Sequence, residues 1–285
     1  MESIRELKTI CQTTAKKDVT NVYMRYVCRS VSIHITRLLI PTNVTADQVS
    51  FVMILTGVIA NLFFLSPYRI VFLLGTLVLQ FWYILDCVDG EIARYRAYQK
   101  NQQVVQEKME LQMTGAYWDY LNHYIVHGLV PLTTSFGLYQ ATKNTGWILI
   151  GFVASISQTL LLAVHDAKSR AFVAKIRKMI KSNWVGSRDQ ETSPQSNKSQ
   201  WNFAKWAFVI IHYSCTYPTV MNVATLVAIL SVMRVGGPDS DFRPLFLLYY
   251  SLASLTVFLG IATKNLRNHG LDYEFDEHFF AEPRG

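Results

Sequence analysis

The chain has 285 residues, of which 51% are hydrophobic and only 16% charged, with a net charge of +7 and a mean hydropathy of +0.18. That is too little charge for a soluble domain of this size, and several apolar stretches are long enough to cross a bilayer. The excess of positive charge therefore reads as basic segments beside a membrane, and the lack of an arginine-rich tract interleaved with aromatics argues against nucleic acid as a partner.

Residues 1–20 are polar and mildly basic, with Lys8, Lys16 and Lys17, and read as a short helix or a loose tail. From 21 to 40, Val22, Tyr26, Ile33 and Leu38 alternate with Arg25, Arg29 and Arg37. That pattern predicts an amphipathic helix lying in the membrane interface with its arginines at the headgroups; a surface helix packed on the bundle is the alternative. Pro41 ends it. Thr45-Ala46-Asp47-Gln48 is a capping box opening a first span over 49–65. Ser66-Pro67-Tyr68 makes a turn, and a second span begins at Ile70, reaches Asp86 and continues through Arg94. The polar residues 95–114 read as helical extensions joined by a turn around Lys100-Asn101, acting as a spacer.

A third span is expected over 115–139 with Pro131 as a kink, and a fourth over 146–164. The fourth helix continues into a basic stretch with Lys168, Arg170, Lys175, Arg177, Lys178 and Lys181, followed by a flexible loop over 186–200. A fifth span covers 206–233, Gly236-Gly237-Pro238 is a turn, and a sixth covers 244–262. The tail mixes acids with Tyr273, Phe275, Phe279 and Phe280, a composition suited to docking on the bundle. The expected fold is thus an all-α integral membrane protein with six transmembrane helices preceded by an interfacial amphipathic helix. Residues 1–20 form an N-terminal polar segment, 21–265 the membrane domain and 266–285 a C-terminal tail. Six spans place both termini and the basic loops on one side, which the positive-inside rule makes cytoplasmic. The first forty residues lack the short apolar core of a cleavable signal peptide. Cys11, Cys28, Cys87 and Cys215 are scattered and read as buried thiols, not as disulfides or a zinc site.

Chemistry concentrates where the second apolar run ends, at Asp86-Cys87-Val88-Asp89-Gly90-Glu91-Ile92-Ala93-Arg94. On a helix, Asp86, Asp89, Gly90 and Ala93 share one face. Carboxylates at that depth are unfavourable unless paired, metal-bound or facing a polar cavity. The third span supplies a counterpart, because Gly115, Asp119 and His123 recur every four residues and form a stripe. Oxygen ligands from two such helices suit hard cations such as Mg²⁺, and the glycines leave room for a ligand near the backbone. His127 extends the stripe by one turn; it reads as a helix-packing histidine, with a transition-metal ligand as the alternative. The acid-bearing ends of both spans lie on the cytoplasmic side of the expected topology.

This pattern resembles the CDP-alcohol phosphatidyltransferase family, whose motif reads D-x-x-D-G-x-x-A-R followed after a spacer by G-x-x-x-D-x-x-x-D. Asp86, Asp89, Gly90, Ala93, Arg94, Gly115 and Asp119 match, while His123 stands in place of the final acid and the spacer is longer than the family's. The resemblance implies a CDP-alcohol donor and a hydroxyl acceptor, one of them a lipid, with transfer of a phosphoalcohol or phosphatidyl group and release of CMP. It implies Asp86, Asp89 and Asp119 as ligands of Mg²⁺ or Mn²⁺, and Gly90, Ala93, Arg94 and Gly115 as the nucleotide slot. His123 takes the place of the general base, or serves as a metal ligand, and Lys168 and Arg170 are further candidates for phosphate or acceptor contacts. A homodimer in a prokaryotic inner membrane, with the site facing the cytoplasm, is the matching cellular picture. A catalytically silent scaffold and a metal-ion transporter are the alternatives.

Overall fold

The computed structural model describes residues 2–18, 22–103, 113–181, 203–267 and 270–280, and among these the regular structure is entirely helical. The centre is built by α3 (Ala46–Phe64), α4 (Arg69–Gln103) and α5 (Met113–Thr142). The capping box forms as expected. Gln48 N–H donates to Thr45 Oγ1 at 3.3 Å, and Thr45 N–H donates to Gln48 Oε1 at 3.0 Å. Close approach of α3 to α5 depends on small residues. A Cβ added to Gly57 would lie 2.3 Å from Val126 Cγ2, and one added to Gly137 would lie 2.4 Å from the Phe64 carbonyl. The core between these helices centres on fully buried Trp82, packed with Phe64, Phe72, Leu79, Val126 and Met221. Trp82 Nε1 donates to Asn122 Oδ1 at 3.0 Å, so its one polar atom is satisfied.

The 35 residues of α4 make a rod about 52 Å long, well beyond the roughly 30 Å of bilayer hydrocarbon. No turn interrupts it at Lys100-Asn101; with no Pro or Gly between Arg94 and Gln103, the helix simply continues. The rest of the expected spacer, 104–112, lies outside the described residues. α6 (Gly146–Lys181) likewise extends past the apolar stretch into its basic continuation. The loop expected over 186–200 is also outside the described residues.

The fifth expected span is not one helix. α7 (Phe203–Ser214) and α8 (Thr219–Val232) meet at a 71° bend. Pro218 stands at the N-cap of α8 and has no N–H with which to continue the α7 ladder. α9 (Arg243–Leu266) follows, and α10 (Gly270–Phe280) docks the tail by burying Phe275. Lys175 Nζ donates to Asp272 at 3.1 Å and Asp276 at 3.0 Å, and Lys168 is bonded to Glu274.

Among the described residues, α3, α4, α6 and α9 are long and apolar enough to cross a membrane, and there are five such elements if the bent α7–α8 pair is counted as one broken span. α5, at the place of the third expected span, falls short because it carries Asp119, Asn122, His123, His127, Thr133, Thr134 and Ser135. Of these, Asn122, His127 and the Thr133–Ser135 run are buried against other helices.

The N-terminal segments clamp the outer end of α4. α1 (Ile4–Asp18) buries Leu7 and Cys11 against Val88, Ile92 and Tyr95. After a π-helical turn at Met24–Cys28, α2 (Arg29–Leu39) turns Arg29, Ser32, Ile33 and Thr36 inward. Its outward face is apolar at Val31 and Leu38, and so is the preceding turn at Tyr26. Arg29 is therefore not a headgroup arginine; it is buried. Glu91 of α4 is the anchor of this clamp. Its fully buried carboxylate accepts from Gln12 Nε2 at 2.6 Å, Ser32 Oγ at 2.7 Å and Thr36 Oγ1 at 2.7 Å.

Candidate metal centre

Asp86 lies 17 residues past Arg69, about 25 Å along α4, where the helix meets the acidic stripe of α5. Carboxylate oxygens of Asp86 and Asp119 and a ring nitrogen of His123 lie within 4.8 Å of one another. His123 Nε2 stands 3.4 Å from Asp86 Oδ1 and 3.2 Å from Asp119 Oδ1. Its other nitrogen, Nδ1, faces His127 Nε2 at 3.3 Å. His127 is in turn stacked flat on Tyr217 at 3.6 Å, and Trp82 meets His123 edge-on. The imidazole is thus held by rings on one side and aimed at two acids on the other. Two oxygens and one nitrogen converging from separate helices are a donor set that fits a divalent cation.

Asp89 is outside this group. It lies one turn further along α4, and its Oδ2 accepts from Ser50 Oγ at 2.9 Å. It does share a cavity with the acids. A first chamber of about 390 Å³ is lined by Asp86, Asp89, Gly90, Ala93, Arg94, Gly115 and Asp119, together with Arg29, Asp47 and Ser50. Every motif position before His123 therefore faces one space, although the positions come from two helices separated by the long spacer. A Cβ added to Gly115 would meet no atom within 4 Å, so that glycine is open to the chamber and is not forced by packing. Gly90 has a different role. Its Cβ position lies 3.1 Å from Arg94 Nη1, so the missing side chain is the seat of the Arg94 guanidinium one turn on. Arg94 Nε donates to the Cys11 carbonyl at 2.5 Å, fixing the arginine to α1 and not to the acids.

A second chamber of about 360 Å³ lies beyond the acids, bordered by α5, α6 and the α7–α8 bend. Asp86 and Asp119 line both chambers, and His123 and His127 line the second. Three buried polar atoms in its wall have no hydrogen-bond partner: His127 Nδ1, Gln158 Oε1 and Tyr217 Oη. Its lining also includes His165, Asp166 and His212, and Tyr124 Oη donates to Asp166 at 2.8 Å. Lys168 and Arg170 line neither chamber, and Lys168 is engaged with Glu274.

Sequence reasoning did not single out Gln158 or Tyr217, because neither belongs to a spaced pattern. It grouped Arg29 with the other arginines of its amphipathic helix, since helical periodicity alone does not tell which arginine turns inward. In comparisons with known proteins, no protein-family model matches the chain and no curated protein matches it.

Proposed function

We propose that this protein is a metal-dependent transferase that moves a phosphoalcohol group from a CDP-alcohol to an acceptor hydroxyl and releases CMP. The observation that carries the reading is the convergence of all seven matched motif positions on one chamber whose inner wall is the Asp86–Asp119 pair. Its volume of about 390 Å³ is within the range usual for small-ligand sites. In this reading the donor occupies the first chamber and the acceptor hydroxyl enters from the second. Asp86 and Asp119 would hold Mg²⁺ or Mn²⁺, and Asp89, which borders the same chamber, is the further candidate ligand. The bound ion would neutralise diphosphate charge and stabilise the leaving phosphate. The acceptor oxygen bonds to the phosphorus that carries the alcohol, and the bond to the CMP oxygen breaks. The acceptor's proton goes to His123, which lines the second chamber beside Asp86 and Asp119 and so suits a general base.

The membrane setting belongs to the same reading. α5 counts as a sixth span whose polar face is turned inward, and the apolar outer face of α2 lies in the interface. The basic continuation of α6 supports a site that faces the cytoplasm. A lipid substrate entering sideways and a homodimer of a prokaryotic inner membrane complete the picture.

The test is CMP release by the full chain in nanodiscs across a panel of CDP-alcohols and acceptors, with and without divalent metal. Metal-dependent release that disappears in Asp86→Asn and Asp119→Asn supports the proposal. Mn²⁺ binding without CMP release from any pair refutes it in favour of a silent scaffold. Mn²⁺ flux into proteoliposomes without a nucleotide requirement refutes it in favour of a transporter.

A further inference from the structure

Arg29 is 6% exposed, yet its Nε and Nη1 are buried and make no hydrogen bond. A guanidinium in that state is strongly unfavourable unless something compensates it, because each unmade bond of a buried charged donor forfeits solvation. The obvious internal counter-ion is committed elsewhere: both oxygens of Glu91 are occupied by Gln12, Ser32 and Thr36. Arg29 instead borders the first chamber, together with Arg94, Asp86, Asp89 and Asp119. Arg94 spends only Nε on a backbone carbonyl. One space thus has four carboxylates, Asp47 among them, and two guanidiniums in its walls, without an ion pair between the Arg29 guanidinium and the acids. Cations belong at the acids, and anions belong at the arginines. A ligand that answers both is a diphosphate, which chelates a divalent ion and accepts the paired N–H groups of a guanidinium fork.

We infer that Arg29 is an anion clamp that binds the diphosphate of a nucleoside-diphosphate ligand in the first chamber, delivered there by the N-terminal helix α2. The nucleoside part rests on the transfer reading above; the diphosphate part rests on the chamber alone. α2 thereby becomes part of the binding site, and closing it over α4 sets the affinity for the anion.

The experiment uses the full chain in phosphatidylcholine nanodiscs, with cytidine diphosphate and inorganic pyrophosphate as probes in the presence of Mn²⁺. Arg29→Gln is expected to weaken both probes about 10- to 100-fold, the loss of one or two charge-assisted hydrogen bonds. Mn²⁺ affinity, read by electron paramagnetic resonance, stays within about twofold because Arg29 is not a ligand. Arg29→Lys recovers part of the loss, and Arg37→Gln on the same helix changes nothing. Thermal stability gives a readout that a structural arginine would move the other way. Without ligand, Arg29→Met melts at or above the wild-type temperature, since it removes a buried unpaired charge. A lower melting point for ligand-free Arg29→Met overturns the inference, as does undiminished diphosphate binding by Arg29→Gln. An Arg29-dependent response to nanodiscs containing phosphatidic acid, with none to cytidine diphosphate or pyrophosphate, also overturns it. Arg29-dependent diphosphate binding without CMP release from any substrate pair upholds the clamp while removing the transferase reading.

Discussion

Replacing Glu91 by alanine tests how the N-terminal helices are held over the site. The substitution removes a carboxylate that accepts three hydrogen bonds of 2.6–2.7 Å from fully or nearly fully buried donors. Bonds to a charged group contribute about 1.5–3 kcal/mol each. Part of that gain offsets the desolvation of the carboxylate itself, which alanine no longer incurs. The donors, however, remain buried and unpaired, and removing one side of such a network typically destabilises by about 3–5 kcal/mol. The loss is local. Gln12 belongs to α1 and Ser32 and Thr36 to α2, so the free energy lost is that of docking these two helices on α4. Hydrogen–deuterium exchange of the protein in nanodiscs should show amides of α1 and α2 exchanging roughly two to three orders of magnitude faster, with α3 and α9 little changed. Glu91→Gln keeps one acceptor oxygen and should lose less. Unchanged exchange in α1 and α2, or an equal rise in every helix, would refute the idea that Glu91 fastens the clamp.

Gly115→Ala should leave the melting temperature unchanged or slightly higher, because no atom opposes the new methyl group and alanine suits a helix better by about 0.5–1 kcal/mol. It should nevertheless weaken cytidine diphosphate binding, measured by calorimetry, since the methyl group projects into the first chamber. If His123 is a metal ligand, His123→Asp replaces its nitrogen donor by oxygen and should shift the metal preference from Mn²⁺ toward Mg²⁺, read from CMP release in each metal. His123→Ala should retain Mn²⁺ and reduce turnover by about two to four orders of magnitude if the imidazole is the base; loss of Mn²⁺ instead would make it a ligand. At the turn before α9, burial pushes the Asp241 carboxyl up, but hydrogen bonds and charge from Arg243 outweigh it and hold it below the usual aspartate range. Its contribution to stability is therefore fully present above the ordinary aspartate value and lost as pH falls through the lowered one. Asp241→Asn should flatten the acid limb of a melting-temperature profile in that window, and an unchanged limb would count against the pairing.

Local signals in the sequence were read well where a single helix decides the outcome. The Thr45–Gln48 capping box forms as spelled, and every apolar run except the fifth becomes one helix that begins within a few residues of its expected start. Asp86 and Asp119 meet because three- and four-residue spacing presents one polar face on each helix, and packing then joins the two faces. What failed to show was decided between elements. Nothing in residues 206–233 outweighs Pro218 once α7 and α8 pack at different angles, yet a hydropathy scan sees one run. Glu91 sits among motif positions without belonging to their pattern; its importance comes from Gln12, Ser32 and Thr36, distant in sequence. Asp89 has the spacing of its neighbours but bonds Ser50 on α3, a contact that no periodicity encodes.

The two cavities have one pair of oxygen-bearing residues in common and otherwise separate borders. One compartment draws its remaining residues from the N-terminal half of the chain, and the other draws most of its own from the C-terminal half. Substitutions that reshape either room can thus accumulate without disturbing its neighbour, provided the doorway between them stays intact. Exchange of C-terminal segments between related chains would be a direct way to alter what is admitted on one side while preserving what is held on the other.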